Sequence, residues 1–369
     1  MLVTVLLGLL GLGVLTAGAE ALVRGAASLA VARGVSRLVV GLTIVAFGTS
    51  APEMTVSVSS ALAGHADVAF GNVVGSNLFN VLFILGACAV LAPLVVSKQL
   101  VRVDVPVMVA VSLLGWALAA DGRVSRVEGV VLAAGLAAYV VLQVVVARRQ
   151  GDASVQVEEA SGPKTLPMQL LAIGAGLAML VLGARLFVDA AVEVARAAGM
   201  SELVVGLTIV AAGTSMPEVA TSIVATLRGQ RDIAVGNVVG SNVFNVLGVL
   251  GISAAVAPDG VVVAPAALAF DTPYMVAAAA ACLPIFFTAH RIDRWEGGLF
   301  LLSYGAYTAF LVLAATRHDA LGTFSWVAFE FVGPLVGATL VALALHAWRR
   351  GRGRPEHGAD GASPGGRAT

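Results

Sequence analysis

Two glutamates in this sequence stand where charge is expensive. Glu53 closes the stretch Gly41 to Glu53, GLTIVAFGTSAPE, and Glu218 closes Gly206 to Glu218, GLTIVAAGTSMPE. Eleven of the thirteen letters agree, and every pair is offset by 165. A second block follows each copy at the same offset: Gly71 to Leu82 reads GNVVGSNLFNVL, and Gly236 to Leu247 reads GNVVGSNVFNVL. A carboxylate inside an otherwise apolar run marks a functional site, because an ionisable group is costly there. Motifs that serve only helix packing would keep the small residues and have no need of the acid.

The neighbours of each glutamate suggest what it does. Pro52 has no N–H, so the carbonyl of Gly48 is expected to lose its helical partner. Such a break inside a membrane is tolerated only where it is buried in protein or lines a cavity. Freed carbonyls at a break aim partial negative charge at one spot. The hydroxyls of Thr49 and Ser50 and the carboxylate of Glu53 lie within one turn of it, and Thr214, Ser215 and Glu218 repeat the arrangement. The second blocks add Ser76, Asn80, Ser241 and Asn245, with Asn77 and Asn242 beside them. All are hard oxygen donors. Histidine and thiolate are absent from the blocks, which argues against zinc or copper. Calcium takes six to eight oxygens in a flexible shell, sodium also prefers oxygen, and magnesium dehydrates too reluctantly to fit well. Two glutamates supply at most two negative charges, which one calcium ion or two or more monovalent ions would balance. An empty, doubly charged site is expensive to carry across hydrocarbon. Obligatory exchange follows: the site crosses loaded with one ion species or the other.

The elements that position these groups are membrane spans. Of the 369 residues 59% are hydrophobic and 12% charged, about half the charge of a soluble domain, so the chain is an integral membrane protein. Apolar stretches of about 20 residues fall at 1–22, 38–63, 68–91, 103–120 and 124–147, and again at 166–188, 203–227, 233–257, 266–289 and 295–315. The first has its arginines, Arg24, Arg33 and Arg37, behind it, unlike a cleaved signal peptide. The polar stretch between the halves reads as a linker. This divides the chain into a first five-helix repeat (1–147), a cytoplasmic linker (148–165) and a second, inverted five-helix repeat (166–316). An extra C-terminal transmembrane helix (322–348) and a disordered basic tail (349–369) complete it. The predicted fold is an all-α polytopic membrane protein of two inverted-topology repeats, with broken helices at the midplane. Five spans is odd, so the second copy enters from the opposite side. Asp104 and Pro106 match Asp271 and Pro273, and Arg126, Glu128 and Gly129 match Arg294, Glu296 and Gly297, so the repeat is wider than its two signature blocks. Loops on one side carry twelve Lys and Arg, those on the amino-terminal side five. Basic loops stay cytoplasmic, which puts the amino terminus outside and the linker inside, in the cell membrane.

Other features have plainer readings. Gly71 with Gly75 and Gly236 with Gly240 are GxxxG pairs expected to let helices touch. Asn72 and Asn237 suit interhelical hydrogen bonds as well as ligation. Asp104 and Asp271 lie near span ends and are expected to cap or anchor helices. The five histidines form no metal pair, and Cys88 and Cys282 are isolated small core residues.

Taken together, GTSAPE with GSNLFN and GTSMPE with GSNVFN resemble the two signature repeats of the sodium/calcium exchanger family of the calcium/cation antiporter superfamily, in its prokaryotic membrane-domain-only form. The resemblance covers roughly residues 1–316. It implies a ten-helix core with the ion site built by two broken-helix pairs. It implies that Glu53 and Glu218 are the central carboxylates and that Thr49, Ser50, Thr214 and Ser215 line the sodium and calcium sites. Ala46 and Ala211 match positions that lend backbone carbonyls, and Ser76, Ser241, Asn80 and Asn245 complete the ring. Relatives often carry an Asp at one of the positions of Asn80 and Asn245. Here both are Asn, so the site charge rests on two glutamates, which counts against a potassium-dependent mode.

The expected function is a secondary active antiporter that extrudes calcium in exchange for sodium. It is not expected to be an enzyme: no HExxH stands in the sequence, and the one GxSxG, Gly361 to Gly365, falls in the tail expected to be disordered and not at a strand-to-helix turn. Calcium/proton exchange by the same fold is the nearest rival, since buried glutamates can take protons, and a passive cation channel is a more distant one. The transported ions and the lipid bilayer are the expected partners, with no cofactor, no nucleic acid and no obligatory protein partner.

Overall fold

The computed structural model describes residues 1–149, 162–200, 205, 208–209, 211–287, 290–318 and 321. Apolar sequence with few breakers gives long helices, which satisfy the backbone within themselves, as hydrocarbon demands. In the first half these are α1 (Leu2–Arg33), α2 (Arg37–Thr49), α3 (Ala51–Leu62), α4 (Val68–Leu91), α5 (Leu100–Leu118) and α6 (Arg126–Arg149). In the second half they are α7 (Leu166–Ala197), α8 (Met216–Leu227), α9 (Arg231–Val256), α10 (Ala267–Phe287) and α11 (Arg294–Ala315). A short helical turn, Ala211–Gly213, precedes α8. Eight of the described helices are long and apolar enough to span, and α2 with α3 makes a ninth candidate, bent by 44° at Ser50. Of the expected 203–227 span, residues 205, 208–209 and 211–227 are described, and none of the eleventh stretch at 322–348 falls within the described residues.

Four two-residue strands reveal how the halves are related. β1 (Leu94–Val95), between α4 and α5, pairs antiparallel with β4 (Arg291–Ile292), between α10 and α11. β2 (Arg123–Val124), between α5 and α6, pairs antiparallel with β3 (Val261–Val262), between α9 and α10. By the repeat, β1 corresponds to β3 and β2 to β4. Each strand therefore pairs with its counterpart's neighbour, never with its counterpart. The α4–α5 connection shares a face with α10–α11, while the matching α9–α10 connection lies at the other end of the spans. The fold is an inverted-topology repeat.

Small residues set the contacts between spans. α1 runs antiparallel to α7 with Gly18 against Gly176 and Gly11 against Gly183: a Cβ on either member would come within 2.8 or 2.9 Å of the other's carbonyl oxygen. A second set joins the repeats: Gly86 of α4 meets Gly297 of α11, and Gly251 of α9 meets Gly129 of α6. These glycines explain part of the repeated Arg-x-Glu-Gly. The Glu explains the rest. Glu128 and Glu296 accept from the N–H of Ser125 and Asp293 at 2.7 Å, closing capping boxes at the starts of α6 and α11.

Two expectations change and a third narrows. Of capping or anchoring, Asp104 and Asp271 do the second: they sit in wide, five-residue turns at the starts of α5 and α10. Asp104 is fully buried and accepts from Gln143 Nε2 at 2.6 Å, and Asp271 accepts from Tyr307 Oη at 2.9 Å. They are held by α6 and α11, whose packing no local pattern announces. The Gly48 carbonyl is not left free either, because backbone N–H groups at the Ser50 break close onto the carbonyls of Ala46 and Gly48. Of the two GxxxG pairs, Gly236 and Gly240 press on Leu38 and Leu42, whereas Gly71 and Gly75 meet nothing among the described residues.

Candidate ion site

The break at Ser50 exists because Pro52 follows Gly48-Thr49-Ser50: the ring withholds an N–H, and the helix restarts with Pro in its first turn. Glu53 lands in that first turn, as Glu218 does in α8 after Ser215 and Pro217. The start of a helix favours a negative charge. Both glutamates are buried, at 1% and 0% exposure.

The two breaks then bond to each other. Ser50 Oγ donates to Glu218 Oε1 at 3.1 Å, and Ser215 Oγ donates to Glu53 Oε1 at 2.8 Å. Ser215 Oγ also lies 3.2 Å from Ser76 Oγ. Each hydroxyl predicted from one repeat thus serves the carboxylate of the other. Thr49 Oγ1 donates to Asn237 Oδ1 at 3.0 Å, and Thr214 Oγ1 to Asn72 Oδ1 at 3.5 Å. Asn237 in turn donates to Ser222 Oγ at 3.0 Å, and Asn72 to Ser57 Oγ at 2.9 Å. Ala46 is buried with its carbonyl taking the Ser50 N–H; for Ala211 only its backbone place at the start of the Ala211–Gly213 turn is described.

Asn80 and Asn245 open wide turns, Phe79–Leu85 in α4 and Asn245–Leu250 in α9, a distortion frequent at functional sites. Asn80 Nδ2 donates to Asn242 Oδ1 at 3.0 Å, and Asn245 Nδ2 to Asn77 Oδ1 at 3.1 Å. What remains is a matched set of buried oxygens with no hydrogen-bond partner among the described residues: Glu53 Oε2, Glu218 Oε2, Asn80 Oδ1 and Asn245 Oδ1, with Ser241 Oγ besides. Buried polar atoms are nearly always hydrogen-bonded. Oxygens orphaned twice over, once per repeat, form a set of acceptors that suits a hard cation. Among the described residues no three His, Cys, Asp or Glu side chains gather to hold a metal, so the donor set is two carboxylates and neutral oxygens.

Hydrogen bonds across the repeats tie Thr49 to Asn237, Ser50 to Glu218, Ser215 to Glu53 and Ser76, and Thr214 to Asn72, and a second set, also across the repeats, ties Asn80 to Asn242 and Asn245 to Asn77. It also shows partners the motifs did not disclose. Ser57 and Ser222 lie one turn beyond each glutamate, and Met108 and Met275 lie against Asn242 and Asn77, at 3.5 and 3.6 Å. The repeat held the signal: Ser57 and Ser222 recur at the offset of 165, and Met108 and Met275 recur at 167, the offset of Asp104 and Asp271. The network is sealed unevenly. Thr49, Asn237 and Gly236 are buried, while Thr214 and Asn72 are half-buried and Gly71 is exposed. The open side is the face where α4 begins.

A helical inverted repeat with a buried, oxygen-lined site at its centre defines a class: polytopic membrane carriers of cations, not enzymes. The family model for the sodium/calcium exchanger protein matches residues 3–145 and 168–313. The chain is 39% identical to the putative antiporter CaxA of Alkalimonas amylolytica, over 83% of this chain and 98% of that protein. It is 30% identical to the sodium/calcium exchanger MaX1 of Methanosarcina acetivorans, over 84% and 98%. The solved structure of the sodium-calcium exchanger NCX_Mj soaked with 2.5 mM Na+ and 0.1 mM Ca2+ superposes with a TM-score of 0.72 at 30% identity, covering 84% of this chain and 98% of that one. This chain belongs to the sodium/calcium exchanger family.

Proposed function

We propose that the protein is a secondary antiporter that moves calcium out of the cytoplasm in exchange for sodium. In this reading the ions are held by Glu53, Glu218, Thr49, Thr214, Ser50, Ser215, Asn80, Asn245, Ser76, Ser241 and the carbonyls of Ala46 and Ala211. One observation carries the proposal: the matched, buried and unpartnered oxygens of Glu53, Glu218, Asn80 and Asn245. Two carboxylates balance one calcium ion. The neutral oxygens replace hydration water around a hard cation, which calcium requires and sodium profits from. A proton-coupled carrier needs a titrating carboxylate and gains little from them.

Proteoliposomes test the driving ion. An outward sodium gradient is expected to drive calcium-45 uptake at matched pH, whereas potassium or choline inside, or a pH gradient alone, drives little. Several monovalent ions against a divalent site leave charge to move, so uptake responds to membrane potential, on the scale of about 2.3 kcal/mol per charge per 100 mV. Equal uptake with all three internal cations, together with strong uptake under a pH gradient, replaces sodium with protons.

The proposed orientation has the amino terminus outside the cell membrane and the 148–165 linker in the cytoplasm, between five-helix repeats at 1–147 and 166–316. It rests on the twelve-to-five division of basic residues. The half-open side of the site, where α4 begins, then faces outward. Single cysteines placed in the linker are expected to resist an impermeant thiol reagent in intact cells and to react after permeabilisation. Ready labelling from outside reverses the orientation.

A further inference from the structure

We propose that Asn77 and Asn242 are positioning residues: they hold the side-chain carbonyls of Asn80 and Asn245 towards the ion without touching it, and so confine the site's charge to its two glutamates. This rests on the reading of Asn80 and Asn245 as ion ligands.

The orientation of a buried amide is decided by what its two ends can bond. Asn77 Nδ2 lies 3.3 Å from the backbone oxygen of Asn242, and Asn242 Nδ2 lies 3.5 Å from the backbone oxygen of Asn77. A backbone carbonyl only accepts, so both contacting atoms are nitrogen. Each Oδ1 therefore points the other way. Asn77 Oδ1 accepts from Asn245 Nδ2 at 3.1 Å, and Asn242 Oδ1 accepts from Asn80 Nδ2 at 3.0 Å. The amide nitrogens of Asn80 and Asn245 are thereby committed, and their oxygens, buried and unpartnered, are left for the site. Asn77 and Asn242 are each tied to a backbone carbonyl at one end, so neither can flip without breaking two bonds, and a flip of Asn80 or Asn245 alone would set oxygen against oxygen.

The brace also accounts for a departure from the family pattern. A carboxylate at position 245 would set an acceptor against Asn77 Oδ1, and Asn77 could turn its nitrogen to meet it only by releasing the Asn242 carbonyl. The same holds for position 80 and Asn242. The paired asparagines select an amide over an acid at both ligand positions. They do so crosswise: Asn77 acts on Asn245 of the other repeat, not on Asn80 one turn along its own helix.

That crossing is the test. Calcium-45 uptake into proteoliposomes is measured over a range of calcium concentrations. Asn77→Leu is expected to raise the half-saturating calcium roughly tenfold or more, the usual cost of losing a partner that orients a metal ligand, with the maximal rate nearly kept. In an Asn245→Ala background Asn77→Leu adds little, because the residue it positions is gone; in an Asn80→Ala background it adds its full effect. Asn242→Leu mirrors this, coupling to Asn80 and not Asn245, and serves where Asn77→Leu does not fold. Equal additivity in both backgrounds, or a lower maximal rate at unchanged half-saturation, overturns the proposal. Glu53→Gln is run alongside. If it transports normally, the ion site itself has been misplaced; if it is dead while Asn77→Leu keeps the native calcium dependence, only the brace fails.

Discussion

Glu53→Gln and Glu218→Gln are each expected to abolish calcium transport and to leave the protein folded. The substitution is nearly isosteric, and the amide oxygen still accepts the hydroxyl that Ser215 or Ser50 donates at 2.8 or 3.1 Å. The loss falls on the other atom. The free Oε2 of each carboxylate becomes an NH2 group that turns its hydrogens on the cation, and half of the charge balancing a divalent ion disappears. The unmodified protein, with two buried acids that meet no cationic side chain among the described residues, pays a desolvation cost that one amide relieves. The variants are therefore expected to melt at or above the native temperature without calcium. The native protein gains stability with calcium, because a ligand that binds only the folded state stabilises it by mass action; the variants gain none. Thermal unfolding in detergent with and without calcium, beside uptake in vesicles, measures both. Wild-type exchange by either variant would move the central site elsewhere.

Gly129→Leu removes the folded protein instead. A Cβ at Gly129 lies 2.5 Å from the Ala255 nitrogen and 2.6 Å from the Gly251 oxygen. Those neighbours are backbone and cannot turn aside. Overpacking of a tight interior contact costs about 1–3 kcal/mol when side chains can give, and here α6 must move off α9, breaking a contact between the repeats. Monodisperse protein recovered in detergent, and its thermal midpoint, are expected to fall sharply. Gly86→Leu behaves alike, since its Cβ meets the Gly297 oxygen at 2.9 Å. Gly13→Leu, on the exposed face of α1 with nothing within 4 Å of its Cβ among the described residues, is the control and is expected to leave both measures unchanged. A Gly129→Leu protein indistinguishable from Gly13→Leu would show that the repeats are not held together there.

Much of this was open to reading along the chain. Glu53 and Glu218 identify themselves, because a charge in an apolar run needs a reason and the reason recurs 165 residues later. Pro52 and Pro217 mark the breaks through a missing N–H, a property of one residue. The odd number of apolar stretches per copy implies inversion by counting alone. All of these are local or periodic, and a covalent sequence records them directly. What the tertiary structure decided are the choices between partners. Local order shows that Ser50 lies near Glu53, but not that its hydroxyl goes to Glu218. It shows an asparagine in each GSN block, but not that Asn77 accepts from Asn245. It places Asp104 at a helix start, where capping is the cheap expectation; burial against Gln143 of α6 makes it something else. Hydrogen-bond partners across an inverted repeat are set by a spatial two-fold that brings residues some 165 positions apart face to face, and no short-range pattern encodes which of several equal donors will meet which acceptor.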